Sequence, residues 1–334
     1  LYEELGEPVT RRTEKRGQPS TDEEALVEIK RRSPDLAPLI DTILRARGAR
    51  KLLSTYIRPW LEMNKGGRIF PHYNQVGTAT RRLSASDPNP LNIPKHLLRA
   101  VVAPEGYTLM IADASQIELR VMAYLSRDPV MLQGFKDGLD FHELTASLIF
   151  DVPLDSVTAD QRNDGKVVNF ALAYGGGVGI LMEKTGKPMA WARGVFRRLN
   201  ERFPVFMAWV RTTQEEALRT GMVYNYFGAP RKLWELTSSD QVVVSKGLRE
   251  AVNTPIQGTA ADAVKLVMVE VESDFRRAGG RYICQVYDSI IAEVPEEETV
   301  FLSKVPSLLT EALTSLFPGL TLPMDVATHR RWKA

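Results

Sequence analysis

Cysteine is almost absent from the chain: 334 residues hold one, Cys284. That count excludes an intrachain disulfide and any zinc site built from several thiolates, and it makes Cys284 an expected core residue. Histidine is nearly as sparse, with four residues and no HExxH spacing, so the helical zinc-hydrolase pattern is excluded too. Neither sign of charge dominates. The 43 Lys and Arg against 41 Asp and Glu leave +2, too little by itself to mark a nucleic-acid binder. No apolar run approaches the roughly twenty residues of a membrane span, and no secretory leader precedes the first polar residues, so no membrane insertion is expected. The first residue is Leu1, which leaves open whether sequence preceded it. The remainder is an ordinary globular composition, 44% hydrophobic, long enough for one large or two to three smaller folded units.

Along the chain, Thr21 and Glu24 have the spacing of a capping box ahead of Leu26 and Ile29, and Pro34 stops that helix. A second helical run carries Leu36, Leu39, Ile40, Ile43 and Leu44 and is expected to end near Gly48. Arg45, Arg47, Arg50 and Lys51 cluster there, as either a solvated helix end or a grip on duplex backbone. Residues 71–94 read as irregular, and TLMIAD then reads as a buried strand. SQIELRVMAYLS has helical periodicity, which leaves Asp113 at a strand end where a helix begins. From about 128 to 258 the chain reads mostly helical, interrupted by the surface excursion GAPRKLWEL. Another helix is expected after Gln257, then a strand pair across 281–294 and a terminal helix around Val300–Leu316. Sheet elements therefore flank a helical middle, so one domain is expected to be assembled from both sides of an insertion.

The chemistry sits in a few places. Arg162, Lys166, Phe170 and Tyr174 recur every four residues in RNDGKVVNFALAYG, so a helix presents two cations and then two rings along one turning face. Such a face suits a nucleoside triphosphate, with phosphates over the cations and the sugar and base against the rings. The alternative is that the rings are core and the cations surface. Asp113 ends its strand and Asp288 lies between the runs YICQV and IIAEV, both able to reach a shared centre or to act only as turn residues. Two Mg²⁺ ions bridged by such acids meet the charge demands of phosphoryl transfer. Arg249, Asn253 and Gln257 share one helical face able to contact template or primer in the minor groove, or to serve only as buried helix caps, and Arg82 can approach the primer end. AYGGGVG lacks the P-loop lysine and is not read as one.

The ordered set TATRRLSASDPNPLNIP, DASQIELR, RNDGKVVNFALAYG, NTPIQGTAADAVK and VYDS resembles the polymerase region of family A DNA polymerases, over nearly all of the chain. The resemblance implies an α+β right-hand polymerase with an antiparallel-sheet palm, helical fingers and a partial helical thumb. Its divisions would be thumb 1–70, palm 71–127 and 259–334, and fingers 128–258. It implies that Asp113 and Asp288 hold the metal ions. Arg162, Lys166, Phe170, Tyr174 and His142 would bind nucleotide, Lys166 acting also in catalysis, and Arg82, Arg249, Asn253, Gln257 and Tyr287 would bind primer-template. Glu118 matches the steric gate that crowds a ribose 2′-OH, which weighs against the alternative of a single-subunit RNA polymerase. Phe170, where some relatives carry Tyr, implies weak acceptance of dideoxynucleotides.

The implied activity is extension of a primer 3′-OH with dNTPs and release of pyrophosphate, in DNA replication and repair. Mg²⁺ would serve in two ions, with Mn²⁺ as a substitute. Primer-template DNA and dNTPs are the expected partners and a monomer the expected state, with upstream nuclease domains or a processivity partner in a longer parent. The match begins partway into the thumb and leaves no room for a proofreading domain, so synthesis without proofreading and in short runs is expected. The expected compartment is the cytoplasm for a bacterial or phage source, with an organelle as the alternative. Several positions depart from the family pattern. Tyr287-Asp288-Ser289 stands for His-Asp-Glu, Arg81 for the glycine of a Gly-Arg pair, Asn163 for an arginine and Leu91 for a glutamine, while the ending THRRWKA is unusual. These changes suggest a divergent branch, viral or organellar, whose altered motif C also admits a catalytically impaired primer-template-binding protein.

Overall fold

The computed structural model describes residues 1–13 and 16–332. Glu14, Lys15, Lys333 and Ala334, the last two of them ending THRRWKA, lie outside the described residues. The chain forms two compact units, Leu1–His72 with Ser86–Pro88, and Tyr73–Ala85 with Asn89–Ala334.

In the first unit, helix α1 (Glu23–Arg32) is followed by α2 (Ala37–Leu52). Leu26 and Ile29 meet Ile40, Ile43 and Leu44 across the pair, a spacing of three and four residues that gives each helix one apolar stripe. Two expectations need correction here. Asp22, not Thr21, caps α1, its carboxylate accepting from the Ala25 N–H at 2.8 Å. The Thr21 hydroxyl accepts instead from Arg47, at 3.0 Å. Helix α2 also runs through Gly48 rather than ending there, because Arg50, Lys51 and Leu52 are strong helix formers and a single interior glycine costs only about 1 kcal/mol.

The second unit is built on a four-stranded antiparallel sheet of β1 (Tyr107–Ala114), β2 (Arg281–Val286), β3 (Ser289–Pro295) and β4 (Met324–His329), in the order β2-β3-β1-β4. Strands from both sides of the helical middle thus join in one sheet. Alternation along β1 sends Met110, Ala112 and Ala114 into the main core, while Leu109 and Ile111 pack in a smaller cluster with Leu98, Ala103 and Trp332. Strand β4 leaves little trace in the sequence pattern, since Met324 and Val326 give it only two apolar positions on the core face.

Between the strands lie α3 (Ile117–Ser126), α4 (Phe141–Phe150), α5 (Ala159–Ala173), and the helices Met189–Arg202 and Pro204–Thr220. The excursion around 222–237 is a ribbon of Met222–Tyr224 against Pro230–Lys232 followed by a short helical turn. Helix α6 (Gln241–Glu270) is continuous through Pro255, so no new helix begins after Gln257. Burial from Ala251 to Val264 offsets the hydrogen bond that proline cannot donate, and the Thr259 hydroxyl donates to the Pro255 carbonyl at 2.6 Å. Helix α7 (Thr299–Ser315) adds Val305, Leu309 and Leu313 to the main core. No helix among the described residues is long and apolar enough to cross a membrane.

Candidate active site

Asp113 and Asp288 meet at one end of the sheet. Asp113 is the penultimate residue of β1 and pairs in register with Ser289, the first residue of β3, so Asp288 in the β2–β3 turn is its diagonal neighbour. The Ala114 N–H donates to the Asp288 carbonyl at 3.2 Å, which fixes the two main chains against each other. Tyr287 turns this corner with φ 55°. The Ser289 hydroxyl donates to the Asp113 carboxylate. Burial first, and then the negative charge of Asp113, push the Asp288 carboxyl up to about 6; its own backbone N–H opposes the shift, Glu118 adds to it and Arg82 opposes it.

Two hard oxygen donors that repel each other are a fit for divalent cations. Among the described residues no group of three or more His, Cys, Asp or Glu side chains is placed to hold an ion. Mg²⁺ commonly binds through one or two carboxylates plus substrate phosphates, so this donor set suits an ion shared with a triphosphate better than a permanently caged one.

Helix α5 starts with a capping box between Thr158 and Gln161 and carries the predicted row of cations and rings. Lys166 Nζ lies 5.9 Å from the Phe170 ring centroid, and the Phe170 and Tyr174 rings are 6.5 Å apart. Both rings are open, 43% and 41% exposed, whereas Val168 and Leu172 of the same helix are buried. This is the reverse of the arrangement in which the rings serve as core. Arg162 is engaged by Asp140, with Nη2 at 2.6 Å, and Glu143 lies 3.6 Å from its Nε. Burial pushes the Asp140 carboxyl up, but the Arg162 hydrogen bond and the N–H groups of Glu143 and His142 leave it below its ordinary value. Asp140 thus caps α4 and holds Arg162 at once.

His142 is buried behind this row, its ring centroid 6.2 Å from that of Phe170. Burial lowers its pKa, Asp140 opposes the shift, and Arg162 and Lys166 lower it further. The amide of Asn169 lies 3.0 Å from His142 Nδ1 and donates to the Phe141 carbonyl at 3.2 Å, while the Thr145 hydroxyl donates to its Oδ1 at 2.8 Å. An amide nitrogen cannot accept, so Nδ1 is the acceptor and the imidazole proton sits on Nε2.

A polar junction joins the two halves. Arg82 donates to Glu118 in the first turn of α3, and Gln257 Nε2 is 3.5 Å from the same carboxylate. Burial, followed by the Glu118 charge, raises the Tyr174 hydroxyl above its ordinary value, while hydrogen bonds with Arg82 and Gln257 work against this. Arg82 also lies over the Tyr287 ring, 5.3 Å from its centroid, and the Tyr287 hydroxyl donates to Asn92 at 3.3 Å. Asn253 is turned to the Ala173 carbonyl at 3.4 Å. Arg249 donates to the Ser245 carbonyl of its own helix, at 3.2 Å, and among the described residues has no hydrogen bond to the junction. Its backbone packs on Gly175, where an added Cβ would come within 2.9 Å of Arg249 Cα and where φ is +61°, so only glycine fits that crossing.

Asn169, Thr145 and Asp140 carry no signal in the sequence that marks them as site residues. Asn169 lies inside the motif KVVNFALAYG, but a polar residue within a helix gives no sign that its amide orients a histidine on another helix. The Arg81–Asp262 pair, joined at 2.5 Å, and the serine that touches Asp113 are likewise contacts that sequence spacing does not reveal.

A four-stranded antiparallel sheet with paired acids at one end and, on the same unit, a helix carrying a row of cations and open rings is the architecture of a polymerase domain. The family model for DNA polymerase family A matches residues 1–334, and the chain belongs to that family. It is 37% identical over 334 residues to the thermostable DNA polymerase I of Thermus aquaticus, covering 98% of this chain and 39% of that one. To DNA polymerase I of Pseudomonas aeruginosa it is 39% identical over 307 residues, 89% of this chain and 33% of the other. Among solved structures, it superposes with a TM-score of 0.88 and 34% identity on the POL domain of Pol1 from M. smegmatis in complex with DNA primer-template and dNTP. That match covers 99% of this chain and 59% of that one. The chain spans about two fifths of the length of the Thermus aquaticus relative.

Proposed function

We propose that this chain carries out template-directed DNA synthesis, joining dNTPs to a primer 3′-OH with release of pyrophosphate. In this reading residues 1–70 belong to the thumb, 71–127 and 259–334 to the palm, and 128–258 to the fingers. The observation that carries it is the juxtaposition of Asp113 with an Asp288 carboxyl raised by burial and then by its neighbour's charge, on the same unit as the exposed Lys166–Phe170–Tyr174 row.

Asp113 and Asp288 hold two Mg²⁺ ions, with Mn²⁺ as a substitute. When bound, these ions supply charge compensation for the attacking 3′ oxygen and the departing pyrophosphate. Lys166 neutralises nonbridging phosphate oxygens as a compact charge and stabilises the leaving pyrophosphate. Arg162 offers its planar fork to the terminal phosphate after exchanging Asp140 for it. His142 donates its Nε2–H as a neutral group. Phe170 presses on the sugar, Tyr174 on the templating pair, and Glu118 excludes a 2′-OH. Arg82, Asn253, Gln257 and Tyr287 hold the primer terminus and the nascent pair, with Arg249 on the template side.

Primer extension by the intact chain, Asp113→Ala and Asp288→Ala tests the proposal. Extension by the first alone, with primer-template binding retained by all three, is expected. Binding without extension by the intact chain would establish the impaired binding protein instead. A competition between dNTPs and rNTPs tests the gate, and efficient ribonucleotide use by the intact chain would overturn the DNA assignment in favour of an RNA polymerase.

A further inference from the structure

Arg81 occupies a glycine position of the motif that the sequence resembles, and its backbone keeps the glycine geometry, with φ 62°. Read from sequence, it adds charge beside the primer track. Its guanidinium is engaged through Nε elsewhere, with the side chain 47% exposed. Nε donates to Asp262 Oδ2 at 2.5 Å, and Asp262 is a nearly buried residue of α6, 7% exposed, little more than one turn beyond Gln257. The same carboxylate holds Lys265 at 2.7 Å and the Asn225 amide at 2.7 Å. Lys265 reaches back to the Arg81 carbonyl at 3.0 Å. Within the segment, the Arg81 N–H donates to the Thr78 carbonyl at 3.2 Å, and the Thr78 hydroxyl to the Arg82 carbonyl at 2.7 Å. Residues 78–82 are therefore tied to α6 by side chain and main chain together. The next side chain, Arg82, turns to Glu118 and the Tyr287 ring.

We propose that Arg81 is a positioning residue. Its pairing with Asp262 fixes the 78–82 segment on α6 so that Arg82 is presented to Glu118, Tyr287 and the primer end, and it makes no contact with DNA phosphate. The assignment of the primer end rests on the function proposed above. A side chain other than glycine persists in the left-handed region only where its surroundings over-determine it, and the three-way pairing at Asp262 is that surrounding.

The test compares wild type, Arg81→Gly, Arg81→Lys, Asp262→Asn and the double variant R81G/D262N. Amide hydrogen exchange across 77–83 is read on the free protein, and primer-template affinity is read over a salt series. Arg81→Gly should speed exchange at Arg81 and Arg82 about tenfold. It should weaken primer-template binding roughly threefold to tenfold with the salt slope unchanged. The double variant should be no worse than either single change. Unchanged exchange, additive effects, or a salt slope reduced by about one, the mark of a lost phosphate contact, would each overturn the proposal. If Asp262→Asn does not fold, Arg81→Lys carries the test, because it keeps the charge but loses the Nε donor: accelerated exchange with weaker binding supports positioning, and wild-type values overturn it. Failure of the wild-type chain to extend primers would count against the proposed function and leave the exchange result standing.

Discussion

The two ends of the candidate site treat charge in opposite ways. At the sheet end, Asp113 and Asp288 face each other, and burial with like charge raises the Asp288 carboxyl to about 6. At the helix end, Arg162 is already matched to Asp140 at 2.6 Å and His142 is held neutral on Asn169. Under the proposed function, the first region would be relieved by a bound cation, whereas the second would have to exchange partners to take a triphosphate. Affinity for metal should therefore be set by repulsion within the protein, and affinity for nucleotide by the strength of an internal ion pair.

Lys166 is the cation of the row without such a competing carboxylate in its described contacts, so its removal should break the contrast most severely. Lys166→Ala is expected to lower kcat/KM for dNTP roughly 10²- to 10³-fold, about 3–4 kcal/mol of transition-state stabilisation, measured by single-nucleotide incorporation. A change below about threefold would remove Lys166 from the phosphate-binding role.

The sheet end should reveal itself in stability. Asp288 has a folded-state pKa above its ordinary value, so the protonated form is the one the fold favours. Below the ordinary value of 3.8 no penalty exists, and above about 6 it is complete, so the metal-free protein loses stability from this group as pH rises through that window. Asp288→Asn should raise metal-free stability by on the order of 2 kcal/mol above that window, with no gain at its acid end, as read by denaturant unfolding. Saturating Mg²⁺ should narrow the gap.

Smaller effects sharpen the other side. Asp140→Asn keeps a good cap for α4 but removes the charge that competes for Arg162, so the KM for dNTP should fall about threefold, under 1 kcal/mol. An increase would mean that Asp140 orients Arg162 for nucleotide rather than competing for it. Ser289→Glu restores an acid beside Asp113 and should lower the Mg²⁺ concentration at half-maximal rate by a few-fold, with a parallel change for Mn²⁺. No change in either metal dependence would remove the accessory charge as an explanation for this departure from the family pattern.

Much of this arrangement was legible in sequence because period and motif carried it. The four-residue repeat places Arg162, Lys166 and Phe170 on α5 and Tyr174 at its C-cap, and the apolar run before Asp113 makes β1. What escaped was of two physical kinds. Local signals overrode each other where Asp22 outcompeted Thr21 as a cap and where packing carried α6 through Pro255. Long-range polar pairing left no periodic trace: Asn169 on His142, Ser289 on Asp113 and Arg81 on Asp262 each join residues whose separation in the chain bears no relation to their contact. Strand β4 escaped for a third reason, since it has too few apolar positions to stand out alone and is defined by its pairing with β1.

The central claim is that Asp113 and Asp288 repel each other and that a divalent cation held by them would relieve the repulsion. Mn²⁺ binding to the nucleotide-free protein, followed by electron paramagnetic resonance across a pH series, addresses it directly. Affinity should climb as pH passes about 6 in the wild type and should be weak and nearly flat in Asp288→Asn. Equal Mn²⁺ affinity and equal pH dependence in the two proteins would contradict the account.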